Sequence, residues 1–252
     1  MTHARSYKTR GIVLRARALG EADRIITMFS DERGKVSAVA KGVRRAKSHF
    51  AGRLEFGNEC QFTMHQGRSL DVIVTAEIVR APWERLVDPQ RFLVASLVAE
   101  LIEAFSEPDL ALPDVYRLLS RVLTAIAVSE APQTLVPRFC LQLLSALGLE
   151  PPADACVRCS EPLGELHAWC DPDSGGFICE ACRERWRDLF ELDSADLLNL
   201  IALSAPRGAS RAALLARPRI AQAVEAIVTH HLGRRPKAGL NGMDFAAHAS
   251  HA

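Results

Sequence analysis

The sequence predicts an α+β protein in which a small N-terminal β-barrel precedes a helical domain that carries a four-cysteine zinc-binding element. Three observations predict it. Between residues 7 and 80 apolar and polar residues alternate, which is the period of half-buried strands. After Pro82 the apolar residues recur at the helical period. Between residues 156 and 182 two Cys-x2-Cys pairs occur.

Five alternating segments account for the predicted barrel. They lie at residues 12–16, 24–30 (RIITMFS), 35–41 (KVSAVAK), 60–64 and 72–78. DERG, with Gly34, predicts a hairpin turn between the second and third strands, and HQGR predicts a turn before the fifth. Because short strands alone must close on themselves or be covered, the sequence predicts a five-stranded oligonucleotide-binding (OB) barrel, a common barrel of this size.

The helical pattern fills the rest of the chain. Residues 91–105 are apolar nearly all round, residues 115–126 show an apolar stripe, and a third helix ends at Gly148. Further helices are expected near residues 183–190, 194–203, 211–216 and 220–232. The predicted domains are therefore residues 1–81, the OB barrel, and residues 82–252, the helical domain with a zinc-binding insertion at about 153–185.

Charge is distributed unevenly along the 252 residues. The total of 31 Lys and Arg against 30 Asp and Glu gives a net charge of +1. Residues 1–81 hold 15 basic and 8 acidic residues, whereas the remainder holds 16 and 22, so the first part is near +7 and the second near −6. A basic module joined to an acidic one predicts separate partners, with a polyanion bound by the first.

Export and membrane insertion find no support in the sequence. No run of 18 apolar residues occurs, and the N-terminus MTHARSYKTRG lacks an apolar signal region, so a cytoplasmic protein is expected. Seven cysteines in a reducing compartment favour metal binding over a disulfide framework.

The two cysteine pairs predict a metal site. Four thiolates, from Cys156, Cys159, Cys179 and Cys182, would complete a tetrahedron and leave no position for water, which is typical of structural zinc. Free thiols, redox cysteines and an iron–sulfur cluster are the alternatives. Cys170 and His167 could each replace a ligand or belong to the core, whereas Cys60 and Cys140 are expected to be core residues.

The stretch AKGVRRAKSHF lies in the one long connection of the predicted barrel. Between residues 33 and 54 there are seven Lys or Arg residues and no Asp or Glu. Such a cluster could hold several phosphates, with Arg15, Arg17 and Arg68 extending it, and His49 or Phe50 beside it could stack on bases. A solvated loop and a surface that binds anionic membranes are the alternatives, but no amphipathic anchor accompanies it.

Catalytic motifs are missing from the sequence. It has no phosphate-binding G-x-x-x-x-G-K-[ST] loop, no dinucleotide fingerprint, no H-E-x-x-H and no G-x-S-x-G, and Asp31-Glu32 is expected to be a turn rather than a nuclease site. A binding protein without a nucleotide cofactor and without catalysis is therefore expected. The competing hypotheses are a zinc-dependent nuclease or deaminase and a zinc scaffold that binds only protein.

Three segments resemble a known family. GIVLRARALGEADRIITMFSDERGKVSAVAKGVRRAKS, the GG-x-x-C-x-x-C segment at residues 175–182 and LGRRPKA near the end occur in the order found in the bacterial recombination mediator RecO family, zinc-containing type. The resemblance implies an OB-fold domain, a helical domain and a zinc element. It implies a protein that binds single- and double-stranded DNA, anneals complementary strands and, with RecR, loads RecA onto DNA coated by single-stranded-DNA-binding protein (SSB).

The resemblance also implies site residues and partners. Lys35, Lys41, Arg44, Arg45 and Lys47 are the implied DNA contacts, and the four paired cysteines are the implied ligands of one structural Zn²⁺. The helical domain is implied to bind the C-terminal tail of SSB. Arg117 and Arg121, on the polar side of a predicted helix, are candidates for this contact, and ordinary exposed arginines of a helix face are the alternative. The implied location is the bacterial cytoplasm, at the nucleoid during repair.

Overall fold

A computed structural model describes residues 6–163, 167–183, 189–204 and 218–237. The chain divides into two compact units, Met1–Glu130 and Ala131–Ala252. The first unit holds the barrel and three helices, and the second holds the cysteine pairs.

Five strands form a closed barrel at the start of the chain, as the alternating segments predict. They are β1 (Ser6–Leu19), β2 (Asp23–Ser30), β3 (Gly34–Ala40), β4 (Glu59–His65) and β5 (Asp71–Arg80). The order around the barrel is β1-β2-β3-β5-β4, and β3 and β5 are the one parallel pair. This OB-type barrel confirms the expected fold of the N-terminal part.

The 14-residue strand β1 closes the barrel because it pairs on both sides. Its first half pairs with β4 and its second half with β2, with a register shift between Val13 and Arg15. The interior follows the sequence alternation, as in β3, where Val36, Ala38 and Ala40 are buried and the residues between them are only partly buried. The period-two pattern therefore determines which side chains fill the core.

Gly34 starts β3 in a conformation that other residues rarely adopt. Its φ is +62°, and an added Cβ would lie 1.8 Å from the carbonyl oxygen of Leu110. The segment that follows α2 therefore packs directly on the β2–β3 hairpin, and the Asp109 amide donates to the Lys35 carbonyl at 3.1 Å. Glycine is required here both for the turn and for this close approach.

Three helices complete the first unit: α1 (Trp83–Leu86), α2 (Pro89–Phe105) and α3 (Pro113–Val128). The predicted helices at residues 91–105 and 115–126 are confirmed, and every apolar residue of the predicted α3 stripe is buried. The side chain of Asp88 caps α2 by accepting a hydrogen bond from the Arg91 amide. The boundary predicted after residue 81 follows the change of secondary structure, whereas α2 and α3 belong to the same compact unit as the barrel.

The second unit combines helices with a small sheet. It comprises a 3₁₀ turn (Pro132–Leu135), α4 (Val136–Ala146), β6 (His167–Asp171), β7 (Gly176–Ile178), α5 (Glu180–Arg183), β8 (Phe190–Asp193), α6 (Ser194–Ser204) and α7 (Pro218–Leu232). The strands are antiparallel in the order β7-β6-β8. None of the helices in the described ranges has the length and hydrophobicity that a membrane span needs.

Most helix predictions for this unit hold. The helices expected at residues 194–203 and 220–232, and the one that ends before Gly148, are confirmed, and the helix expected at 211–216 lies outside the described residues. Of the helix expected at 183–190, residues 184–188 lie outside the described residues, and the expectation is wrong at Phe190, which begins β8 and pairs with Cys170 of β6. A four-residue strand is too short to show a period, so its pairing partner decides its conformation.

Candidate nucleic-acid interface and metal centre

The long connection between β3 and β4, residues 41–58, is fixed to the barrel by apolar side chains. Phe50 and Leu54 are each 2% exposed and belong to the barrel core, and Val43 packs against the same core. These residues alternate with cations along the sequence. Burial of the apolar residues therefore leaves the cations between them at the surface.

Hydrogen bonds fix the path of this connection further. Amides donate to carbonyls three residues earlier at Arg45, Ser48, Ala51 and Arg53. At the far end the fully buried Asn58 donates its side-chain amide to the carbonyls of Gly52, at 2.9 Å, and Arg53, at 3.3 Å. The connection has few regular elements but a defined conformation.

The predicted DNA contacts in this connection differ in their surroundings. The side chains of Lys41, Arg45 and Lys47 are exposed and have no hydrogen-bonding or ion-pair partner among the described residues. Arg44 is also exposed, but its Nη1 donates to the Gly20 carbonyl at 3.1 Å and its backbone amide donates to the Ala22 carbonyl at 2.9 Å. Three cations are therefore available to a ligand, and a fourth is engaged with the β1–β2 turn.

Lys35 lies away from these cations. Its Nζ donates to the Glu103 carbonyl at 2.7 Å near the C-terminal end of α2, where a positive charge favours the helix dipole. Lys41 lies six positions further along the extended chain, which is about 20 Å at ~3.3 Å per residue. The acid-free stretch of sequence is therefore not one surface, and Lys35 is the weakest of the predicted DNA contacts.

Arg33, at the same end of β3, is held by acids. It pairs with Asp71 at 3.1 Å and with Asp109, and its guanidinium lies over the Tyr7 ring. Burial of Asp71 opposes the negative charge of its carboxylate. Hydrogen bonds from the Tyr7 hydroxyl, the Gly67 amide and Arg33 nevertheless keep the pKa of Asp71 below its ordinary value. This cation stabilises the barrel end.

The residues expected to extend the basic surface also differ in whether their side chains are engaged. Arg15 forms an ion pair with Glu103 at 2.7 Å, whereas Arg17 is exposed with no partner within the described ranges. Phe50 cannot stack on a base, because its ring is buried in the barrel; that expectation is wrong. His49 is exposed, with its ring centroid 3.9 Å from that of Phe50.

The four paired cysteines come together as predicted. The sulfur atoms of Cys156, Cys159, Cys179 and Cys182 all lie within 4.8 Å of one another. Cys159 Sγ and Cys179 Sγ are 3.7 Å apart. Sulfurs at the corners of a tetrahedron with Zn–S bonds of about 2.3 Å are about 3.8 Å apart, so this set has the dimensions of a four-thiolate zinc site.

Two features bring the pairs together. Arg158, inside the first pair, donates from Nε and Nη2 to the buried carboxylate of Asp171, which ends β6. At the following turn Gly175 has a φ of +63°, and an added Cβ would lie 2.3 Å from the His230 ring. An added Cβ on Gly176 would lie 2.5 Å from Val157. Gly176 therefore lets the segment before the second pair approach the first pair, and Gly175 lets the same turn approach α7.

The electrostatics of the cluster favour a cation. Burial opposes ionisation of Cys156, but hydrogen bonds from the amides of Cys179, Cys159 and Arg158 lower its pKa to about 6. Burial and the neighbouring cysteines raise the pKa of Cys182 to about 12. The surroundings therefore stabilise the thiolate of Cys156 but disfavour the thiolate of Cys182. All four cysteines can be ionised together only when a positive ion balances their charge.

The remaining candidates lie outside this set. Cys170 is fully buried in the small sheet, which raises its pKa to about 12. The ring of His167 packs edge-on against Trp169, near Glu180 and Glu191. Among the described residues, only the sulfur atoms of the four paired cysteines form a cluster that could hold a metal ion. Cys60 and Cys140 are core residues, as expected.

Two family models together match almost the whole chain. "Recombination protein O N terminal" matches residues 1–82, and "Recombination protein O C terminal" matches residues 86–239. The chain belongs to the RecO family. The N-terminal match of this RecO-family chain contains the barrel with its basic connection, and the C-terminal match contains the four cysteines.

Similar proteins from several bacteria carry the name "DNA repair protein RecO". One from Bifidobacterium adolescentis is 38% identical over 182 residues, which cover 69% of this chain and 73% of that protein. One from Bifidobacterium longum is 40% identical over 180 residues, with the same coverage. One from a Nocardioides species is 34% identical over 181 residues, covering 70% of this chain and 74% of that protein. The family resemblance expected from the three sequence segments is confirmed.

Proposed function

We propose that this RecO-family chain is a DNA-binding mediator of recombinational DNA repair. It binds and anneals single-stranded DNA and, with RecR, promotes loading of RecA onto SSB-coated DNA in the bacterial cytoplasm, at the nucleoid. Family membership supports the repair role, since the relatives carry that name. The DNA-binding role is supported mainly by the connection between β3 and β4, in which buried apolar side chains hold cations without ion-pair partners at the barrel surface.

Such a surface suits a phosphate backbone. The side chains of Lys41, Arg45 and Lys47 are exposed, and none of them forms an ion pair with an acid in the described structure. Binding through such cations releases counterions and does not read sequence. A protein that anneals arbitrary complementary strands needs this kind of contact.

Salt dependence tests the interface. Changing Lys41, Arg45 and Lys47 together to Ala should reduce the slope of log K against log salt for single-stranded DNA by about 2, because each phosphate contact contributes about 0.7. Fluorescence anisotropy of a labelled oligonucleotide measures the slope. The control changes three exposed arginines on α1 and α3, namely Arg85, Arg117 and Arg121, to Ala and should leave it within error. An equal loss in both variants would refute the assigned interface.

Annealing tests the mediator role. The full-length chain should speed pairing of complementary oligonucleotides, both naked and SSB-coated, and RecR with the chain should speed assembly of RecA on the coated strand. A chain that binds DNA but leaves both rates unchanged would contradict the mediator role.

The SSB tail is the proposed partner of the helical domain. Of the two arginines considered for contact with this tail, Arg117 forms an ion pair with Asp114 on the same helix.

We further propose that the chain acts without catalysis and that its metal is one structural Zn²⁺. A zinc-dependent nuclease or deaminase needs an open coordination position, and four thiolates fill a tetrahedron. When bound, zinc would fix the relative positions of the two cysteine pairs. Labelled DNA incubated with the chain and divalent cations should be recovered unchanged; a cleaved or deaminated product would support the enzyme instead.

A further inference from the structure

The adjacent residues Arg44 and Arg45 differ in what they contact. Arg44 makes two hydrogen bonds to the β1–β2 turn, one from its side chain to Gly20 and one from its backbone to Ala22. Arg45 makes neither: its backbone amide closes a local turn to Gly42 at 3.1 Å, and its side chain has no polar partner in the described structure. One arginine joins two segments of the barrel surface, and the other is free.

A third contact strengthens the junction. The Asp23 carboxylate accepts a hydrogen bond from the Gly42 amide at 2.7 Å. Three hydrogen bonds therefore join the first residues of the basic connection to the β1–β2 turn and the start of β2. Beyond this junction, the next apolar anchor is Phe50 in the barrel core. The cations Arg45 and Lys47 lie between the two anchors, so the junction limits how far they can move.

The local charge argues against a phosphate at Arg44. Its guanidinium bonds to a turn that carries Glu21, and Asp23 follows directly. These carboxylates lower the electrostatic potential at the turn to which Arg44 donates, whereas the Arg45 side chain makes no hydrogen bond to that turn in the described structure.

We propose that Arg44 is a positioning residue that fixes the basic connection to the β1–β2 turn, and that Arg45, its neighbour, contacts DNA phosphates. This inference rests on the proposed DNA-binding function and deepens it. It separates two residues that the family resemblance groups together. A connection fixed before binding loses less conformational freedom when DNA binds, so Arg44 raises affinity without adding a phosphate contact.

The salt slope and the affinity separate the two roles. Full-length Arg44→Met and Arg45→Met variants, which keep a long apolar side chain but no charge, bind a labelled oligothymidylate over a range of NaCl concentrations. Arg45→Met should reduce the slope by about 0.7, as expected for one phosphate contact. Arg44→Met should leave the slope unchanged and weaken binding about fivefold at every salt concentration, the effect of one lost hydrogen bond.

Hydrogen exchange of the free protein supplies a readout that does not involve DNA. Arg44→Met should speed amide exchange in residues 41–49, Arg44→Lys should restore protection because its ammonium can still donate to the turn, and Arg45→Met should leave exchange unchanged. Equal slope losses in both Met variants would overturn the inference and leave the proposed function intact. Wild-type binding that does not depend on salt would overturn both.

Discussion

At the scale of single residues, the buried carboxylate of Glu59 connects the barrel to a helix of the first unit. It is 3% exposed and accepts hydrogen bonds from the Tyr116 hydroxyl at 2.8 Å and the Ser120 hydroxyl at 3.2 Å. Arg10 Nε lies 2.6 Å from Oε1 as an ion pair, although it is not aligned for a hydrogen bond. Burial, and then the adjacent carboxylate, raise the pKa of Tyr116. Glu59 therefore joins β4 to α3.

Removal of this charge should destabilise the protein. Glu59→Gln should lower the free energy of unfolding by about 2 kcal/mol, because the buried network loses its charged acceptor and the ion pairs of Glu59 with Arg10 and Arg80 are lost. Urea unfolding measures the difference. The matched control is Glu103→Gln, whose partner Arg15 is half exposed and for which less than about 1 kcal/mol is expected. Equal costs for the two variants would show that Glu59 is not such a junction.

At the scale of elements, the connection between β3 and β4 shows what a charge count omits. Seven cations without an acid suggest a single basic surface, but Arg33 and Lys35 are engaged at the far end of β3. The residues that fix the connection, Phe50, Leu54 and Asn58, carry no charge. The sequence does contain a signal for this arrangement, because apolar residues occur at intervals within the basic stretch. Such residues indicate attachment to the barrel core more directly than they indicate stacking on bases.

The cysteine element gives a prediction about metal content. The purified chain should contain about one zinc ion, Cys179→Ser should lose most of it, and Cys170→Ser should retain it, since the Cys170 side chain lies in the sheet core and outside the sulfur cluster. Elemental analysis with a released-zinc assay measures this. Iron with acid-labile sulfide in place of zinc would identify a cluster instead, and loss of metal in Cys170→Ser would place that residue among the ligands.

At the scale of the whole molecule, the compact units and the change of periodicity divide the chain differently. The sequence changes from strand to helix after residue 81, whereas the first compact unit extends to Glu130. Within this unit Glu59 bonds to α3, and Gly34 packs on Leu110 beyond α2. The predicted boundary after residue 81 therefore stays a prediction, which fragments of the chain can test.

A fragment of residues 1–130 should unfold cooperatively and bind single-stranded DNA with the salt slope of the whole chain. A fragment of residues 1–81 should be far less stable, because Glu59 would lose two hydrogen-bond donors and the barrel would lose its packed helices. Urea unfolding and anisotropy titrations compare the two. A stable fragment of residues 1–81 with the full slope would support the shorter domain.

The five-stranded barrel, the helices with a clear period of about 3.6 residues and the four-cysteine cluster could be predicted from the sequence, because alternation, helical period and paired cysteines are patterns between residues close in sequence. The family could be predicted from the resemblance of three segments. The three-dimensional structure was needed to show which described cations have no side-chain partner, that Phe50 fills the core, that a four-residue segment pairs as β8, and that Cys170 lies outside the sulfur cluster. These outcomes depend on contacts between residues distant in sequence, and no local pattern records the partner.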